Sequence, residues 1–216
     1  MGLIMLQSRW VRFSGIGFLG LALAAIVIVP LPGQPDAAAQ PAKADQLSDG
    51  LRFVPTDAAL FLYADSAKIW DCDLLKSVRK ADPKPFEFLT GELKKELGIA
   101  PSDVKSLVVF VPKLKGPEDT SNFGIAITFH NAFNKAQFEK GAEKLLPLLL
   151  KQRGAKVKVV SPDDRTAVIL SNLKEDGYGK PRAAKAGPLS EALKAASSGK
   201  HAAVVGATLA SLPGEL

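Results

Sequence analysis

The sequence predicts an α+β fold, an antiparallel sheet with helices packed on one face, and three observations predict it. The first is the stretch 106–130. A short, apolar, β-branched run (106–111) is stopped by Pro112, and an alternating run follows at 123–130. The first run suits a strand covered on both faces. In the second, Phe123, Ile125, Ile127 and Phe129 point one way and Gly124, Ala126, Thr128 and His130 the other. Turn residues join the two, so the pair reads as a long-looped hairpin at the centre of the sheet. The second observation is another hairpin, 156–160 and 166–171, with Pro162 at the second position of a type I turn. The third is a set of amphipathic helical patterns between these strands.

Taken in order, residues 59–64 form the first strand, bounded by Pro55, Thr56 and Asp57. A short helix follows, capped by Asp71 or Asp73, with Leu74, Leu75 and Val78 on one face. A second starts near Pro85, a residue suited to a first helical turn. Its leucines at 89, 93 and 97 recur every four residues, and Gly98 stops it. Asn134 caps a third helix, with Gln137 three residues on. Its stripe is Phe138, Ala142, Leu145 and Leu149, and Pro147 should kink or end it. Residues 172–187 read as a long, mobile polar loop. Pro188 opens a fourth helix with Leu189, Leu193 and Ala196 inward and Gly199 as terminator, and residues 202–205 begin a last strand. Strand, helices, hairpin, helix, hairpin, helix, strand is the ferredoxin-like split order. The alternative is a truncated hairpin-helix repeat, with units starting near Ser106 and Lys156 and an unfinished one near His201. The last strand would then have at most one neighbour, and either the natural protein is longer or the open edge pairs in a homodimer.

Of the 216 residues, 47% are hydrophobic, enough for a sizeable core, and 23% are charged, an ordinary share. Residues 1–39 read as a signal peptide or N-terminal anchor. Arg9 and Arg12 precede an apolar run at 13–29, Pro30 and Pro32 break it, and Ala37, Ala38 and Ala39 supply the small residues for cleavage before Gln40. The run is long for a cleaved leader, which keeps the anchor as the alternative. Either way positive charge stays inside, and the body faces the periplasm or the exterior. Residues 40–50 read as a flexible linker and 51–216 as the α+β domain. Cys72 is the only cysteine, so no internal disulfide forms. It reads as a partly buried residue at a helix start.

Few reaction classes survive this reading. The two histidines, His130 and His201, lie at strand ends without metal-ligand spacing. No nucleophile elbow and no Gly-rich phosphate loop is present, so neither catalytic residues nor a cofactor are expected. The acidic pairs Glu118–Asp119 and Asp163–Asp164 sit in turns and lack the spacing of a calcium loop. Phe61, Tyr63 and Trp70 could form a sugar-stacking platform, but strand aromatics usually pack inward. Net charge is +6, with Lys151, Arg153, Lys156 and Lys158 close together and Lys174, Lys180, Arg182 and Lys185 beyond them. Lys156 and Lys158 share a strand face and, with Lys151 and Arg153, are candidates for binding a polyanion. Lysines that keep an edge strand soluble are the plainer explanation. The expectation is a non-catalytic exported domain that binds or scaffolds in the cell envelope, its partner unidentified. A module for acidic polysaccharide or anionic lipid, or an enzyme of unrecognised type, are the alternatives. Nucleic acid is not expected, and membrane contact runs only through the N-terminal segment if it stays uncleaved.

Three short motifs carry a resemblance. They are Val54-Pro-Thr-Asp-Ala58 before the first strand, Pro101-Ser-Asp-Val104 before the second, and Phe133-Asn-Lys-Ala-Gln-Phe138 at a helix start. With residues 200–205 as a strand entry, the chain from Leu51 onward resembles a class of uncharacterised bacterial exported proteins. The resemblance implies export and repeated hairpin-helix units. It implies no activity and no functional residues. Members of that class usually run on past the point where this sequence stops.

Overall fold

Among the described residues, short runs of β-branched and aromatic residues make six strands, and all six join one sheet. The computed structural model describes residues 47, 49–55, 57–112, 122–149, 156–182 and 187–208. The strands are β1 (Leu60–Asp65), β2 (Val104–Val111), β3 (Phe123–Phe129), β4 (Val157–Val160), β5 (Thr166–Ser171) and β6 (Ala203–Ala207). Their order is β4-β5-β3-β2-β1-β6, and every neighbouring pair is antiparallel. The α+β class and the antiparallel sheet are those the periodicity predicts. The strand order corrects the split arrangement, in which a third strand lies between the two joined by the first helix. Here β1 pairs directly with β2, from Leu60 opposite Val111 to Asp65 opposite Ser106.

The helices cover both faces of the sheet rather than one, and β5 shows why. Its sequence, TAVILS, has no charged residue to turn toward water, and all six positions are buried. Val168 and Leu170 enter a core with Phe61, Tyr63, Val108, Phe110, Leu189 and Leu193. Ala167 and Ile169 point the opposite way, into a second core with Phe129, Phe138, Ala142 and Leu146. β2, expected to be covered on both sides, alternates instead. Ser106, Val108 and Phe110 are buried, while Leu107, Val109 and Val111 are half-buried.

Ahead of β1, a 3₁₀ turn (Asp49–Phe53) buries Leu51 and Phe53 on the first face. Leu47 packs there too, so the folded body starts inside the stretch read as linker. Helix α1 (Ser66–Trp70), absent from the sequence reading, is capped by Asp65, whose carboxylate accepts from the Lys68 N–H at 3.1 Å. In α2 (Asp73–Ala81) the cap position is Cys72 rather than either aspartate, and its side chain is exposed rather than partly buried. The apolar stripe of α2 is not buried: Leu74 and Val78 stay exposed. Helix α3 (Lys84–Glu92) carries Pro85 in its first turn and runs on as a π turn (Leu93–Leu97). Gly98, at φ +70°, ends it in the left-handed conformation a glycine adopts freely.

On the second face lies α4 (Lys135–Leu149). The Asn134 side chain accepts from the Gln137 N–H at 3.1 Å, as the capping pattern predicts. Phe138 and Ala142 are buried as expected, but Leu146 replaces Leu145 as the third buried position. Pro147 does not end the helix. Gly141 lets α4 meet the π turn closely, since a Cβ there would fall 2.1 Å from the Glu96 carbonyl oxygen. On the first face lie α5 (Glu175–Tyr178) and α6 (Ser190–Ser197), and α6 buries Leu193 and Ala196. α4 and α6, each following a hairpin, thus pack on opposite faces.

Candidate functional site

Of the four basic residues singled out by sequence as polyanion candidates, two are described, and one of these is paired. Lys151 and Arg153 lie outside the described residues. Lys156 just precedes β4 and Lys158 stands on it, with the Lys158 ammonium paired with Glu175 of α5. That hydrogen bond and charge raise the Lys158 pKa above its ordinary value. The backbone of Lys156 is clamped by Asn172, with its N–H donating to the Asn172 side chain at 3.0 Å. The first part of the loop expected to be mobile is folded back. Tyr178 stacks on Phe110 with ring centroids 6.3 Å apart, the Arg182 guanidinium lies over Tyr178, and the Arg182 N–H donates to the Arg52 carbonyl.

The aromatic platform does not assemble either. Phe61 and Tyr63 are core residues, whereas Trp70 packs edge-on against Phe86 with Arg79 over its ring. His130 leaves β3 and His201 precedes β6, with β2 and β1 between those strands. Among the described residues, no three of His, Cys, Asp and Glu converge on a metal-sized site. Glu118 and Asp119 fall outside the described residues.

Polar side chains do converge at one end of the sheet, where the start of β2, the end of β3 and the start of β5 meet the 3₁₀ turn. Arg52, Lys105, Thr128, Phe129, His130, Asp163, Asp164, Arg165 and Thr166 line a half-open bowl of about 440 Å³. Asp163 organises its wall. Its carboxylate accepts from Arg52 at 2.6 Å and from the Arg165 N–H at 2.9 Å. Burial pushes the Asp163 carboxyl up. The Arg165 N–H, the Thr166 hydroxyl and the Arg52 guanidinium more than offset this and hold it below the usual carboxylate value. This aspartate is therefore an anchor for Arg52 rather than a proton carrier near neutrality. Two buried polar atoms of residues that line the bowl have no partner among the described residues: the Nε of Arg52 and the hydroxyl of Thr128, a residue 3% exposed. Sequence reasoning placed Asp163 in a turn and Thr128 on a strand face, but missed their union with Arg52, 111 residues from Asp163.

The second notable surface is the flank of the sheet at β6. One cross-strand row on the α4 face runs Val159, Ile169, Ile125, Val109, Leu62, Val205. Ile169 is 3% exposed beneath α4, while Val205 at the other end is 47% exposed. Leu60, in the adjacent row, is also exposed. β6 forms the sheet edge, paired with β1 alone among the described strands. Among the described residues, no helix is long and apolar enough to cross a membrane. No family model, no curated protein and no solved structure matches the chain.

Proposed function

We propose that this protein is an exported, non-catalytic domain that binds or scaffolds in the cell envelope, and that it binds through the β6 edge. The observation that carries this reading is the contrast between the two edges of the sheet. β4 carries Lys158, a charge that discourages strand addition. β6 reads Ala203, Val204, Val205, Gly206, Ala207, with no charge and no proline. Its outer backbone groups and the apolar row beneath it suit an added strand from a second copy of the chain, with main-chain hydrogen bonds supplying affinity. The basic n-region and apolar run of residues 1–39 support export.

Two measurements test the reading. Protein recovered outside the cytoplasm should begin at Gln40 or within a few residues of it. A full-length product held in the membrane fraction would favour the anchor, and a full-length product confined to the cytoplasm would refute export. For the edge, light scattering of the purified chain should give a dimer, and Val205→Lys should give a monomer with an unchanged melt. Val205 is the position to change because it faces outward, and surface substitutions usually shift stability by less than about 0.5 kcal/mol. Val204 packs against the core, so a lysine there would confound folding with association. A monomeric wild type would remove the self-pairing.

A further inference from the structure

We propose that the bowl at the sheet end binds a small oxyanion, the phosphate or carboxylate group of a small molecule. The decisive groups are two buried polar atoms without partners among the described residues, Arg52 Nε and Thr128 Oγ1, both belonging to residues that line the bowl. An arginine Nε–H can only donate. A hydroxyl donates as well as accepts, so an acceptor on the ligand suits either group. The ligand that completes this site is therefore an acceptor.

Charge narrows the class further. Arg52, Lys105 and Arg165 face Asp163 and Asp164 around the bowl, with His130 beside them. The positive charges outnumber the negative ones before His130 is counted. Asp163 is moreover occupied, with Arg52 on one oxygen and the Arg165 N–H on the other. A cationic ligand would meet an excess of positive charge, whereas an oxyanion would take charge-assisted hydrogen bonds, the stronger kind. Space agrees. About 440 Å³ lies within the range of small-molecule sites. The Arg52–Asp163 pair holds the guanidinium in place before any ligand arrives, so binding orders little that is not already ordered.

The site is independent of the β6 edge, so either can fail without the other. The test is amide NMR titration of the purified full-length chain with inorganic phosphate and, separately, with acetate. Sedimentation with phosphatidylglycerol vesicles forms a third arm. Saturable shifts should centre on Thr128, Phe129, Arg165 and Thr166, and the stronger of the two free anions identifies the ligand as phosphate or carboxylate. Thr128→Val removes the hydroxyl at constant shape, and Arg52→Lys keeps the charge but removes Nε. Each should weaken binding about tenfold or more, the effect of one hydrogen bond to a charged group. Thr128→Val should leave the melting temperature unchanged or raised, since the hydroxyl it removes is buried without a partner among the described residues. Lys158→Gln, on β4, should bind as wild type. The proposal is overturned if neither anion binds saturably, which would leave water as the occupant. It is equally overturned if either bowl variant binds like wild type, or if the chain binds vesicles but no free anion.

Discussion

Phe138→Ala should destabilise the domain by about 3–5 kcal/mol, the usual range for truncating a fully buried phenylalanine. Phe138 is 0% exposed and is the first buried residue of α4. Its ring meets Phe129 edge-on at 5.7 Å and Phe133 edge-on at 5.4 Å, and those two rings lie 4.5 Å apart. The substitution therefore removes apolar burial and the centre of a three-ring cluster joining α4 to the end of β3. Edge-to-face pairs add about 0.5–1.5 kcal/mol beyond area, so the upper half of the range is expected. Urea melts should show a lower midpoint with an unchanged slope. A loss below about 1 kcal/mol would mean that the cluster collapses around the missing ring at little cost.

That stripe also shows what a sequence makes legible. Asn134 and Gly98 were readable as a cap and a stop because each acts through hydrogen bonds within a few residues of itself. Phe138 and Ala142 follow from helical spacing. Leu145 and Leu146 are both compatible with it, at three and four residues from Ala142, and only the angle at which α4 meets the sheet selects Leu146. Strand order is further from reach. The apolar runs of β2 and β5 look alike, and which one is covered twice depends on where the helices land. β5 lies beneath α4 on one face and beside the first core on the other, whereas the second face of β2 lies toward the open flank. The bowl was least legible. Arg52 sits in a stretch that reads as the start of the domain, Thr128 on an ordinary alternating strand, and Asp163 in a turn. None of the three carries a local signal of the others. The close-approach glycines did carry one, since a glycine inside a strand marks a site where a neighbour comes near.

Gly124→Ala is the sharper test of that rule, because two effects of opposite sign compete. Alanine restricts the unfolded chain and should stabilise a strand interior by about 0.5–1 kcal/mol relative to glycine. Against this, a Cβ at position 124 would lie 2.1 Å from the Phe110 ring tip and 2.5 Å from the next carbon. Phe110 is the direct cross-strand partner of Gly124 and is fully buried, with Tyr178 stacked on it. On its other side Phe110 pairs with Phe61, whose ring in turn lies over Gly206. Neither ring can swing aside without displacing the other or lifting Tyr178. Overpacking of this kind costs about 1–3 kcal/mol, so the clash wins and Gly124→Ala should destabilise by about 1–2 kcal/mol net. Phe110→Leu shortens the offending side chain and opens room. In that background Gly124→Ala should become neutral or stabilising, giving a coupling of about 1–3 kcal/mol in the double-mutant cycle. Denaturant melts of the four proteins measure it directly. Additivity within about 0.5 kcal/mol would mean that the strands separate to admit the methyl group, and that the ring-over-glycine row does not fix the spacing of β2 and β3.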